Sequence, residues 1–177
     1  MRTIIHAFAL AFACCVLPIL PTWADDSIEL IAQDGTRKRI DGVTLSTMPR
    51  QQVSAGIHDG PLSSWSGVAL GDLLAGANTP HGDALRGAAL TWVVRITAED
   101  GYQVVFTLSE LDANFSNLRV LIADTKDGNP LGSDGPYRLI VPGDKRTARS
   151  VRSLRRIEIL DCAQLAPKMH TPDASTR

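Results

Sequence analysis

Two neighbouring runs decide how this chain is read: Gly135-Pro136-Tyr137-Arg138-Leu139-Ile140-Val141-Pro142-Gly143, and Ala148-Arg149-Ser150-Val151-Arg152-Ser153-Leu154-Arg155-Arg156-Ile157-Glu158-Ile159. Tyr137 to Val141 is apolar apart from one arginine, which predicts a buried strand with a charge set into it. An arginine in such a strand either points to solvent or is buried against a carboxylate or a ligand. Leu154 to Leu160 predicts a second strand. From Lys145 to Arg156 the chain carries six basic residues in twelve: Lys145, Arg146, Arg149, Arg152, Arg155 and Arg156. Such a cluster is either a solvated surface segment or a place where charge-assisted hydrogen bonds hold a phosphate or an acidic partner. Arg149 and Arg152 would share a face if the segment were helical.

Working outward, short strands alternate with short helices. Ser27 to Ala32 reads as a strand, Asp34-Gly35 as a turn, and Arg37 to Ile40 as the returning hairpin partner. Thr44 to Met48 predicts one helical turn stopped by Pro49, and Gln52 to Ile57 a strand. Val68 to Gly76 is the clearest short helix, with apolar residues at 70, 73 and 74. Asn78 to Gly87 reads as a loop. Leu90 to Ala98 and Tyr102 to Phe106 predict a hairpin closed by Asp100-Gly101. Thr107 followed by Glu110 is a capping-box pattern. Leu118 to Asp124 predicts a strand and Thr125 to Pro136 a long turn. This alternation, without repeats, predicts one α+β domain dominated by β structure over residues 25–163. Residues 164–177 have little apolar content and are expected to be a flexible tail.

The first residues read differently. Arg2 precedes an apolar run from Ile4 to Leu20, then Thr22-Trp23-Ala24 offers small residues before Asp25-Asp26. That pattern predicts a secretory signal peptide over residues 1–24, cleaved near Ala24. The expected product is periplasmic or secreted, with no membrane span, and keeps 153 of the 177 residues. The whole chain has 18 basic and 19 acidic residues, a formal charge of −1. Losing Arg2 takes the product to −2, a balance that suggests no nucleic-acid partner. Cys14 and Cys15 leave with the signal. Cys162 then stands alone and can form neither an intrachain disulfide nor a paired-cysteine metal site.

The two opening runs resemble the C-terminal half of the molybdopterin-binding domain of the sulfite oxidase family. Upstream blocks extend the resemblance in order. They are Trp65-Ser66-Gly67-Val68-Ala69-Leu70-Gly71-Asp72-Leu73-Leu74, Asp100-Gly101-Tyr102 with Phe106 to Leu111, Leu121-Ile122-Ala123, and Asp127-Gly128-Asn129-Pro130-Leu131. The resemblance covers roughly residues 60 to 160. It implies a mixed, partly barrel-like β core with short helices, and molybdopterin as the cofactor. Three departures bear on function. The family enzymes supply a cysteine thiolate to molybdenum from the region matching Ser54 to Asp59, which here has no cysteine, so metal ligation is not expected. Where the enzymes tend to have His-Gly, this chain has Asp134-Gly135. A Lys-Trp pair is replaced by Arg152-Ser153.

The resemblance makes Arg138, Arg149, Arg152, His58 and Tyr102 the candidate cofactor-binding residues. Each also has a plain structural reading: Arg138 as a solvent-facing or carboxylate-paired residue, Arg149 and Arg152 as cations of a solvated surface segment, His58 as a loop residue and Tyr102 as a core or hairpin aromatic. The expected function is an exported, non-catalytic binding module for a small anionic ligand or a periplasmic or inner-membrane partner protein. The alternative is a molybdopterin-dependent oxidoreductase with altered metal ligation, acting on a small oxyanion or sulfoxide.

Overall fold

The computed structural model describes residues 26–57 and 60–165; the expected signal peptide, His58 and most of the expected tail lie outside them. Strand β1 (Ser27–Ile31) turns through Gly35, at φ +83°, into β2 (Arg37–Asp41). Positive φ is where glycine costs least, so Asp34-Gly35 makes the predicted turn. Asp41 then caps the first helix, α1 (Gly42–Ser46), its carboxylate accepting from the Thr44 N–H at 2.8 Å. β3 (Arg50–Ala55) and β4 (Ser63–Ala69) form an antiparallel pair, and β4 runs directly into α2 (Leu70–Ala75), which buries Leu70, Leu73 and Leu74. β5 (Trp92–Ala98) and β6 (Gln103–Thr107) form the predicted hairpin. It starts two residues later than expected because Gly87 to Thr91 is a 3-10 turn.

Thr107 and Glu110 make the predicted capping box: each side chain takes the backbone N–H of the other, at 2.8 and 3.2 Å. The helix they open is only one 3-10 turn, Ser109–Leu111. β7 (Leu121–Lys126), the two-residue β8 (Asn129–Pro130), β9 (Arg138–Ile140), β10 (Leu154–Asp161) and α3 (Cys162–Leu165) complete the described elements.

The strands form two open five-stranded sheets, one ordered β2-β1-β10-β5-β6, the other β3-β4-β7-β8 with β9 also on β7. The β core is therefore two open sheets, with no closed barrel among the described residues. In the first sheet the first and last strands, β1 and β10, pair in parallel. The main core draws on both sheets: Ile28, Leu30, Val94, Ile96, Phe106 and Ile157 from the first, Val68, Ile122 and Leu139 from the second. The two opening runs are tied to each other: Leu139 N–H donates to Val151 O at 2.7 Å, and Leu154 N–H to Tyr137 O at 2.9 Å. Arg149 and Arg152 do not share a helical face, because only Thr147–Arg149 is helical, as a 3-10 turn.

Candidate functional site

Strand alternation puts one set of residues on the face of the second sheet that turns away from the main core. Val53 pairs with Trp65, Gly67 with Ala123, Ala123 with Arg138, and Leu121 with Ile140. Ala55, Trp65, Leu121, Ala123 and Ile140 make a small apolar cluster, against which Val53, Ile57 and Leu131 pack. Gly67 and Ala123 are small for a reason: a Cβ at Gly67 would lie 1.9 Å from the Ile122 carbonyl oxygen. At Gly67 strands β4 and β7 approach too closely for any residue with a side chain.

Trp65 is 1% exposed, and its indole N–H donates to the Ala55 carbonyl at 3.0 Å. The Arg138 guanidinium lies 5.5 Å from the indole centroid, a cation–π contact, and the Lys126 ammonium lies 5.2 Å from it. Arg138 is itself 4% exposed and pairs with Asp134 at 2.6 Å. Its Nε is buried with no hydrogen-bond partner. The residue preceding Gly135, which departs from the family pattern, is therefore the counter-ion of the buried arginine. Sequence reasoning weighed Asp134 only as an obstacle to phosphate; the four-residue spacing to Arg138 was the signal for a pair.

Of the remaining candidates, His58 lies outside the described residues, and Arg149, Arg152 and Tyr102 have surroundings of their own. Arg149 is held by Asp144 through two bonds of 2.8 and 2.7 Å and by Glu110 at 3.2 Å, with its guanidinium 4.6 Å from the Phe106 ring. These carboxylates, Asp144 first, raise its already high pKa. Burial pushes the Glu110 carboxyl up, but the Thr107 N–H, the Thr107 hydroxyl and Arg149 more than offset this and hold it below its ordinary value. Arg152 is exposed. Tyr102 is half-exposed on the β5–β6 hairpin, its hydroxyl donating to Ala148 O at 3.0 Å.

Among the described residues, three surface grooves are of a size to take a ligand. One of about 970 Å³ runs beside α2 and includes Gln51, Asp72, His81, Asp112 and Arg119. One of about 900 Å³ crosses β2, β1, β10 and β5. One of about 700 Å³ lies by Leu131, Gly135 and Tyr137. None of the three is lined by Arg138, Arg149 or Arg152.

With this geometry the comparison with known proteins can be placed. The profile described as "Oxidoreductase molybdopterin binding domain" matches residues 41–167. The chain belongs to this family. No curated protein matches it by sequence. Among solved structures it is similar to the sulfane dehydrogenase SoxCD from Paracoccus pantotrophus, with a TM-score of 0.58 and 18% identity, over 78% of this chain. That likeness carries the fold, and the chain spans only 39% of that protein's length.

The family binds molybdopterin, and the residues of this chain do not fit that group well. The region where the family resemblance places the metal ligand, Ser54 to Asp59, contains no cysteine; its one imidazole, His58, and Asp59 lie outside the described residues. Ala55 is instead buried in the apolar cluster under Trp65. Among the described residues no group of three or more His, Cys, Asp or Glu side chains is arranged to hold a metal. Of the three candidate arginines, Arg138 and Arg149 each already face a carboxylate, while Arg152, at the family lysine position, is exposed.

Proposed function

We propose that this protein is an exported, non-catalytic binding module built on the molybdopterin-binding oxidoreductase domain. One observation carries the reading: Arg138, the arginine the resemblance would turn toward the cofactor, is buried between Trp65 and Asp134. An ionised group that is already paired and stacked has little left to offer an anion, and opening the pair would strand a buried charge. The protein's partners are then a small anionic ligand or a periplasmic or inner-membrane protein.

The alternative, an oxidoreductase with altered metal ligation, has one observation in its favour: the unpartnered Nε of Arg138 is a buried donor that a ligand oxygen could satisfy. The experiment that separates the two is cofactor content. The protein is exported with its own signal from a molybdenum-replete host, alongside a family enzyme that loads normally. Molybdenum is measured by elemental analysis and pterin by fluorescence after oxidation. The binding-module reading expects neither; near-stoichiometric molybdenum and pterin would overturn it. N-terminal sequencing of the same periplasmic material tests export, with a mature chain expected to begin at Asp25.

A further inference from the structure

The groove of about 970 Å³ beside α2 is built from residues that the cofactor reading does not use. Gln51 and Gln52 line it at the start of β3, whereas the segment in which the resemblance places the metal ligand begins at Ser54 and leaves by the other end of that strand. Its opposing walls are α2 and the chain from Leu111 to Val120. Gly71 lets these two meet closely, since a Cβ there would lie 2.5 Å from the Leu111 carbonyl oxygen. The 3-10 turn Gly82–Ala84 is pinned to the same wall: Gly82, at φ +55°, donates its N–H to Asp112 at 2.6 Å.

A cavity of about 20 Å³ adjoins the groove, and Gly71, Ala75, His81, Leu111 and Asp112 line both. That volume admits one water-sized group. Thr79 lines the cavity and is 4% exposed, and its buried hydroxyl has no hydrogen-bond partner among the described residues. Such a hydroxyl costs free energy unless a group in the cavity meets it. His81 holds its Nδ1 2.9 Å from the Thr79 carbonyl. A carbonyl can only accept, so Nδ1 carries the proton and Nε2 of the neutral ring is an acceptor. Asp112 takes the Gly82 N–H on one oxygen and the Asn114 N–H, at 2.8 Å, on the other, and each oxygen keeps a further lone pair. A hydroxyl, an imidazole and a carboxylate thus border a space for one group, whose other walls include Leu74, Leu108 and Leu111. A primary ammonium, with three N–H donors and a positive charge, matches that set better than a neutral hydroxyl.

Arg119 lines the groove but not the cavity. It is exposed, and its guanidinium has no hydrogen bond or ion pair among the described residues. Asp72 also lines the groove and accepts from the Gln51 amide at 3.1 Å. Two carboxylates beside one guanidinium disfavour a plain anion, and among the described residues no Phe, Tyr or Trp lines the groove to stack on a sugar or a base. We propose that this groove binds a small zwitterion of the amino-acid or short-peptide type, its ammonium seated in the cavity at Thr79, His81 and Asp112 and its carboxylate on Arg119.

This proposal goes beyond the binding-module reading, and its test involves neither metal nor pterin, so either can fail without the other. The probe is triglycine, which carries only the two end charges and backbone amides, titrated calorimetrically against the full exported protein. N-acetyl-triglycine removes the ammonium and triglycinamide removes the carboxylate. The expected result is saturable binding of triglycine, weakened about tenfold or more in each capped analogue, the factor that one lost charge-assisted hydrogen bond carries. Free glycine separates the sources: affinity at least equal to that of triglycine assigns the site to amino acids, weaker affinity to peptides, and either upholds the zwitterion site. Thr79→Val removes the hydroxyl and should weaken triglycine binding about tenfold without lowering the urea midpoint, because the hydroxyl has no partner in the chain to lose. Arg119→Gln, on an exposed residue, should weaken triglycine about tenfold and leave triglycinamide unchanged, which a general loss of structure would not do. Arg86→Gln, on an exposed residue outside the groove, should alter neither. Three results would each overturn the proposal: no binding of triglycine, equal binding of either capped analogue, or unchanged triglycine affinity in both Thr79→Val and Arg119→Gln.

Discussion

Asp134→Asn is the sharpest test of the idea that Arg138 belongs to the fold. Breaking a buried ion pair by removing one partner costs about 3–5 kcal/mol, because the other charge is left unpaired. Here the arginine side chain is 5% exposed, but the Asp134 side chain is 37% exposed, so water already screens part of the pair. That reduces the expected loss to about 2–3 kcal/mol. For a domain of this size the loss corresponds to a fall in Tm of about 4–12 °C. The structure also predicts how to rescue it. Arg138→Met in the Asp134→Asn background removes the stranded charge and the unpartnered Nε while roughly keeping side-chain volume over Trp65. It should recover most of the loss, leaving the double variant within about 1 kcal/mol of the parent. The assay is urea unfolding followed by tryptophan fluorescence, which reads Trp65 and Trp92 once the expected signal and Trp23 are removed. If Asp134→Asn is neutral, or if Arg138→Met deepens the loss instead of relieving it, the arginine is not held by Asp134 and the cofactor-facing assignment regains its ground.

Three other outcomes follow from the same region and its neighbours. Trp65→Ala should cost about 3–5 kcal/mol by removing the largest side chain of the second cluster, and Trp65→Phe about 1–3 kcal/mol because the Ala55 carbonyl loses its buried donor; both are read by urea midpoint. Gly67→Ala should prevent folding, since its Cβ would sit 1.9 Å from a backbone oxygen, whereas Gly101→Ala, with open space around it but φ +84°, should fold with a modest loss; circular dichroism and soluble yield distinguish them. The depressed Glu110 carboxyl contributes stability that is full above its unfolded value of 4.5 and lost as pH falls through its lower folded value. Glu110→Gln should therefore flatten the acid limb of a urea-midpoint series run from about pH 6 to about pH 3.

Local features were readable in the sequence and assembled ones were not. The Asp34-Gly35 and Asp100-Gly101 turns, the capping box at Thr107 and the α2 stripe each depend on residues a few positions apart, and the structure has all of them. β4 was missed because Ser63-Ser64-Trp65-Ser66-Gly67 looks polar; only Trp65, Gly67 and Val68 are buried in that strand, and the serines stand at the less covered positions. The parallel β1–β10 pair joins the two ends of the domain, and no local pattern encodes it. The basic run was legible as a cluster but not in its division. Arg149 turns inward to Asp144 and Glu110, while Arg155 meets Glu99 and Arg156 meets Glu29.

That division bears on what the domain is for. Had the cationic run kept an anion-holding role, its members would be expected to converge on one cavity with their charges unspent. Arg138, at the family arginine position, is instead paired with Asp134, and Arg149 with Asp144 and Glu110, each stacked against a buried aromatic ring, while Arg152, at the family lysine position, is exposed. An arginine enclosed by its own counter-ion and a ring stabilises a fold and has little left to offer an anion. On the reading proposed above, the pairing of Arg138 and Arg149 argues against an anion held at those two side chains, and molybdenum and pterin content of the exported protein tests that directly.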